Sequence, residues 1–129
     1  MNTQITLASK SQTRSRLLTN AKIKFKTVDH GVDEDEIKLS MSESSPEEIV
    51  TKLAEMKALK ASISNDGLVI GSDQGLDLNG KLVNKAKNFD EAHEQLKSMS
   101  GKEHTLITTT VVAKAVSYTH LRAHETPAN

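Results

Sequence analysis

Apolar and polar positions along this chain change period several times, and each change marks an element. Gln4 to Ala8 sets Ile5 and Leu7 on one side of an extended segment, which predicts a first strand. Ser11 or Thr13 then caps a helix whose buried side is Leu17 and Leu18. Ile23, Phe25 and Val28 alternate as a second strand, and Asp29 to Glu36 reads as a polar loop. At Ser45 a helix is strongly signalled, with Ser45 as cap, Pro46 at the first helical position and Glu48 completing a capping box. Its apolar stripe is Ile49, Leu53 and Met56, widened by Val50, Ala54 and Leu59. Lys52, Lys57 and Lys60 fall mostly off that stripe and read, on pattern alone, as solubilising charges. The run Leu68-Val69-Ile70, entered through the turn Asn65-Asp66-Gly67, is a short buried strand that ends at Gly71-Ser72-Asp73-Gln74. A turn from Asp77 to Gly80 then predicts a hairpin between Leu78 and Leu82-Val83. Asn88 or Asp90 caps a helix to about Met99, with Ala92, Leu96 and Met99 inward, and Ser100-Gly101 stops it. His104 to Lys114 is a Thr- and Val-rich strand whose Leu106-Ile107 and Val111-Val112 pairs imply burial on both faces. Strands alternating with helices define an α/β chain.

Three stretches carry candidate chemistry. Gly71 allows close approach of a neighbour or a ligand, and Asp73 and Gln74 arrive where the strand stops. Ligands of open α/β sheets sit outside the carboxyl ends of strands, so Asp73 is a candidate catalytic base or metal ligand. The alternative is that Asp73 only begins the turn running through Gly75 to Gly80, since Asp and Gly after a strand are ordinary turn residues. Ser9 to Arg16 brings four hydroxyls and three cations to a strand-to-helix junction. Free amides there and the Arg14 fork suit an anion, and an ordinary capped helix with solvated cations suits the same residues. Asp33, Glu34, Asp35 and Glu36 form an acidic cluster that fits either a hard cation or a solvated loop.

Composition narrows the function classes. With 26% charged and 36% hydrophobic residues, 129 residues make one soluble globular domain or part of one. No apolar run approaches the roughly 20 residues that span a bilayer, and Met1 to Leu7 lacks the features of a signal peptide. There is no cysteine, which excludes disulfides and thiolate metal sites and fits a cytoplasmic protein. A formal net charge of zero argues against a nucleic-acid face, which needs clustered cations. Phe25, Phe89 and Tyr118 are the only aromatic residues, too few for a stacking platform.

The series Leu7-Ala8-Ser9-Lys10-Ser11, Arg14, Leu17-Leu18, Val32-Asp33-Glu34, Leu53-Ala54, Lys57-Ala58, Ile70-Gly71-Ser72-Asp73-Gln74, Asn79-Gly80, Lys85, Ala92, Leu96, Ser100-Gly101 and His104 resembles the Maf family in matching order. The resemblance covers about Ile5 to Ala113. It implies a Maf/ITPase-like α/β fold, a mixed sheet flanked by helices, over residues 1–114, incomplete on its C-terminal side. It also implies hydrolysis of a nucleoside triphosphate to a monophosphate and pyrophosphate with a divalent cation, Mg²⁺ or Mn²⁺. Carried over residue by residue, Asp73 is the proton acceptor, Ser9, Ser11 and Arg14 bind phosphates, and Lys57, Lys85 and Glu34 are further site charges, Glu34 toward the metal. Ser72-Asp73-Gln74 looks closer to the subgroup acting on 7-methyl-GTP than to the one acting on dTTP and UTP, with Gln74 and Thr13 as specificity positions. Thr13 stands where that subgroup has a bulkier residue, and Ala86 replaces the proline that follows the site lysine. A monomer and a homodimer both fit this reading.

Residues 115–129 resemble a translated sequencing adaptor and are expected to be a non-native tail, which sets aside the His120/His124 spacing as a metal pair. Such a tail would leave an exposed strand edge and an incomplete core. A second reading of the whole chain follows, an inactive piece that is at most a weak phosphate- or nucleotide-binding module.

Overall fold

The computed structural model describes residues 3–114 and, for the backbone alone, residues 117–125. Six strands form one mixed sheet: β1 (Ile5–Ala8), β2 (Lys26–Val28), β3 (Leu68–Leu78), β4 (Lys81–Val83), β5 (Thr105–Lys114) and β6 (Ser117–Glu125). The helices are α1 (Gln12–Asn20), α2 (Glu34–Ser40), α3 (Pro46–Ser62) and α4 (Phe89–Met99). Strand order is β2-β1-β3-β5-β6, and β4 joins β3 as a hairpin. β1 runs parallel to both β2 and β3, whereas β5 is antiparallel to β3 and to β6. The strand edge expected at β5 is thus paired by Ser117–Glu125. The side chains of His120 and His124 lie outside the described residues, as do residues 115–116 and 126–129 of the expected tail.

The core lies between α3 and one face of the sheet. α3 starts with the expected capping box, in which Ser45 Oγ accepts from Glu48 N and the Glu48 side chain accepts from Ser45 N. Its small residues Ala54 and Ala58 pack on Val111 and Ala113 of β5, and Ala61 packs with Ala8 and Val69. Gly71 makes this contact as close as it is. A Cβ there would stand 2.5 Å from the backbone nitrogen of Ala58 and 2.6 Å from the carbonyl oxygen of Ala54. The close neighbour that Gly71 accommodates is therefore α3. In the hairpin, Asn79 and Gly80 both have positive φ (53° and 83°), as a two-residue loop matching the twist of its strands requires.

Several expectations need correction. β3 does not stop at Gly71; it continues through Leu78, because nine consecutive residues from Val69 to Asp77 pair with β5. Asp73 therefore sits in mid-strand and begins no turn. The second strand is only Lys26–Val28, without Ile23 and Phe25. Asp29 to Glu36 is not all loop: Asp33 caps α2 by accepting from Glu36 N, and Glu34 is its first residue. β5 is fully buried on one face, through Ile107, Thr109, Val111 and Ala113, while the other face is half-buried. Leu17 and Leu96 were expected inward and are 65% and 66% exposed, since no residue of α1 or α4 is buried. Among the described residues, no helix is long and apolar enough to cross a membrane.

Candidate active site beside the central strand

β3 is longer than its neighbours on one side, and that difference opens the site. β1 pairs with it up to Leu7 opposite Ile70, and β4 joins the same edge only from Val83 opposite Leu76. Between those two registers no described strand covers that edge, and the gap holds Ser72, Asp73 and Gln74. Side chains alternate across a strand. Asp73 thus points to the face covered by α3, and Ser72 and Gln74 point to the opposite face.

On the α3 face, Lys57 is 5% exposed and its ammonium bridges two carboxylates. It donates to Asp73 Oδ1 at 3.1 Å and lies 2.6 Å from Glu34 Oε1. Lys57 belongs to the buried stripe formed with Val50, Ala54, Ala58 and Ala61, so its reading as a solubilising surface charge is overturned. Its spacing carried the signal, three residues after Ala54 and four before Ala61. Lys60 instead donates to the carbonyl oxygen of Gly31 and ties the preceding loop to α3.

The two carboxylates respond differently to the lysine they share. Burial pushes the Asp73 carboxyl above its usual 3.8; the charge and hydrogen bond of Lys57 oppose the rise, Glu34 adds to it, and Arg14 pulls back. For Glu34 burial also pushes upward, but the hydrogen bond and charge of Lys57 win and hold it below 4.5. Glu34 is the closer and the more exposed of the two, 39% against 14%, so the ammonium acts on it at shorter range and against a smaller burial cost. The cations beside Asp73 do not hold its carboxyl below the usual range, because burial outweighs them.

His30 was read only as a loop residue and belongs to this cluster. Its charge interactions reach Lys57, Glu34 and Asp73, and burial followed by Lys57 holds the imidazole below its usual 6.5. Nδ1 accepts from Val32 N at 2.9 Å, which leaves the proton of the neutral ring on Nε2. Nothing in the spacing of Asp29-His30-Gly31 pointed to this.

The β1–α1 junction supplies the opposite charge. Ser9, 3% exposed, accepts at Oγ from Ser11 N at 3.1 Å and from Arg14 Nη1 at 3.0 Å. Ser11 caps α1 by accepting from Arg14 N. Arg14 is thereby tied at its backbone and its guanidinium, and its charge is felt at Asp73. On this side of the sheet a cleft of about 400 Å³ runs between α1 and the strands. Ser11, Thr13, Arg14, Leu17 and Leu18 form one wall, and Leu7, Ile70, Ser72, Gln74, Thr108 and Thr110 form the floor. Thr13 and Gln74, the two positions expected to bear on specificity, both line this cleft. Lys85 does not join either group: it is exposed in the loop before α4 and lines a separate groove with Asp90, Glu91 and Glu94.

A resident metal cage is not what these residues make. Among the described residues no group of three or more His, Asp or Glu side chains could hold an ion alone. Glu34, partly exposed, could be one of the one or two carboxylates through which Mg²⁺ is usually held, the cation keeping several of its waters.

A buried lysine between two carboxylates on one face of a mixed sheet, and a cleft lined by Ser11 and Arg14 on the other, define a protein of the α/β class. Its backbone matches the Staphylococcus aureus Ham1 protein with a TM-score of 0.62 at 14% identity, over 95% of this chain and 70% of that one, a likeness of fold. Residues 4–128 match the family described as Maf-like protein, and the chain belongs to that family. A Caulobacter vibrioides relative named nucleoside triphosphate pyrophosphatase is 46% identical over 114 residues, covering 87% of this chain and 57% of the relative. A Brucella abortus relative named 7-methyl-GTP pyrophosphatase is 40% identical over 117 residues, covering 88% of this chain and 59% of the relative. The chain thus spans a little over half the length of these relatives.

Proposed function

We propose that this chain carries the catalytic carboxylate and phosphate-binding loop of a nucleoside triphosphate pyrophosphatase. The observation that carries the reading is Asp73, held in the gap beside β3 with a raised pKa, hydrogen-bonded to buried Lys57 and within the field of Arg14. The ionised carboxylate takes a proton from water as the water oxygen bonds to the α-phosphorus. The bond from that phosphorus to the α–β bridging oxygen breaks, and its electron pair leaves on pyrophosphate; the other product is the nucleoside monophosphate. Lys57 holds Asp73 in place, and its charge together with that of Arg14 offsets negative charge developing on the phosphates. Ser9 fixes the Arg14 guanidinium and Ser11 caps the helix start that carries it, so that this fork is presented toward the phosphates. A divalent cation, Mg²⁺ or Mn²⁺, would be held by Glu34 with the substrate phosphates and would supply further charge neutralisation there. The names of the relatives support a nucleotide substrate, with a 7-methyl-GTP type favoured over dTTP and UTP by Ser72-Asp73-Gln74.

The test is pyrophosphate release from 7-methyl-GTP, GTP, UTP and dTTP with Mg²⁺ or Mn²⁺, on this chain and on Asp73→Asn. Release that falls by about 100-fold or more in the variant supports a general base. The exposed position of Lys85, away from the cluster, favours the alternative of a nucleotide-binding piece without turnover. Nucleotide binding with no release would establish that alternative and reject catalysis by this chain.

A further inference from the structure

We propose that His30 is a positioning residue whose neutral imidazole closes the turn that holds Glu34 on the Lys57 ammonium, and whose imidazolium opens it. The proposal rests on the reading of Lys57 and Asp73 as site residues given above and adds what places their third partner. α2, which begins with Glu34, has no buried residue, so core packing does not fix it. The segment before it is tied by side chains instead. Asp29 Oδ1 accepts from Gly31 N at 3.0 Å, and His30 Nδ1 accepts from Val32 N at 2.9 Å. Lys60 of α3 donates to the Gly31 carbonyl oxygen, and Asp33 Oδ1 accepts from Glu36 N at 3.1 Å. Of these four ties only the one from His30 is partly buried, so water competes with it least. Gly31 turns the chain at φ 67°, a conformation that glycine enters and leaves at little cost, so the segment relies on its ties.

The His30 hydrogen bond has one possible direction. A backbone N–H only donates, so Nδ1 presents its lone pair and the ring is neutral with its proton on Nε2. A second proton must enter at Nδ1, where it opposes the Val32 N–H and breaks the bond. The charged groups acting on the ring are Lys57 of α3, Glu34 of α2, Asp73 of β3 and the adjacent Asp29, itself paired with Lys10. Burial and Lys57 outweigh the three carboxylates and hold the imidazole below 6.5. The contribution of the turn to stability is therefore present above 6.5 and is lost as pH falls through the lowered folded value. Once the turn opens, Glu34 leaves Lys57 and the ammonium serves Asp73 alone. Asp73 also loses a neighbouring negative charge that raises its pKa. A more acidic Asp73 is a weaker base.

The experiment compares the whole chain with His30→Ala and His30→Asn. Asparagine Oδ1 can accept from the N–H two residues on, as Asp29 does for Gly31, and it takes no proton, so His30→Asn keeps the turn closed in acid. The first measurement needs no turnover: NMR follows protonation of the His30 ring while amide exchange follows Val32. Val32 protection is expected to fall in step with ring protonation, to be lost in His30→Ala and to persist in His30→Asn at every pH. Protection that stays constant while the ring protonates overturns the proposal, and so does a neutral ring with its proton on Nδ1. The second measurement is denaturant unfolding of His30→Ala with and without Glu34→Gln. The loss caused by His30→Ala is expected to shrink when Glu34 is already replaced; purely additive losses show that the turn does not act through Glu34 and also overturn the proposal. In turnover of 7-methyl-GTP or UTP, His30→Ala should lower kcat/KM by about tenfold and move the acidic limb to lower pH, and His30→Asn should restore both. A merely structural role would lower the rate and leave the limb in place, an outcome that counts against the idea. Val32 protection that tracks the ring in a chain without turnover supports this inference and rejects the catalytic reading.

Discussion

One ammonium serves two carboxylates of unequal exposure, and that inequality decides how the site responds to pH. Asp73 has a folded pKa above 3.8, so the folded chain holds this proton more tightly than the unfolded chain does. Its contribution to stability is present below 3.8 and is lost as pH rises through the raised folded value. Glu34 behaves in the opposite sense: its contribution is present above 4.5 and is lost as pH falls through its lowered folded value. Asp73→Asn is therefore expected to keep or raise the thermal midpoint at pH 7 relative to the parent, with the difference shrinking as pH approaches 4; a clear loss at pH 7 would show that the ionised carboxylate is net stabilising. The acidic limb of the rate profile should have its midpoint above 3.8, because the base must be ionised to act. Lys57→Met removes the shared cation from a site 5% exposed and should cost about 1–3 kcal/mol in denaturant unfolding, below a fully buried pair because Glu34 can rehydrate. Little of this electrostatic arrangement was legible. A lysine counts as polar in a periodicity, so the pattern alone places Lys57 at the surface, and within four consecutive acids only the family resemblance singles out Glu34.

At the scale of elements, legibility followed whether the signal was local. The α3 cap and the Asn79-Gly80 hairpin depend on neighbours within four residues, and both form as read. The length of β3 was not readable, because Gly71, Ser72, Asp73, Gln74 and Gly75 favour turns over strands. The ladder to β5, in which Gly71 pairs with Val111 and Gly75 with Ile107, overrides that preference. α2 was missed because its cap lay inside the acidic run. α4 shows the converse: Asn88 caps it as expected, yet its apolar Leu96 is exposed, since a cap specifies a helix and says nothing of what covers it. The close contact of β3 against α3 is set by Gly71. Gly71→Ala should destabilise by about 1–3 kcal/mol through overpacking, and it should weaken the Lys57–Asp73 contact by lifting the helix. Chemical denaturation with an activity assay on the same samples checks both effects. Unchanged stability would show that α3 is free to shift.

For the whole molecule, the sheet order brings together residues far apart in sequence. β1 and β3 lie side by side although α1, β2, α2 and α3 intervene, and this sets the Ser9-to-Arg14 junction next to Asp73. The α/β class and its mixed sheet were readable from alternating periods and from the family resemblance; the gap between the β1 and β4 registers was not, since it depends on strand lengths rather than on any motif. Zero net charge gives no broad field to steer a polyanion, so the proposed binding of a triphosphate rests on local charge, Arg14 above all, since Lys57 is already shared by two carboxylates. The central claim is water attack on the α-phosphorus assisted by Asp73, and isotope transfer tests it most directly. Turnover of 7-methyl-GTP or UTP in ¹⁸O-labelled water should place the label in the nucleoside monophosphate, at a rate about 100-fold or more lower for Asp73→Asn. Label in pyrophosphate or inorganic phosphate, or equal rates for the two chains, would contradict the account.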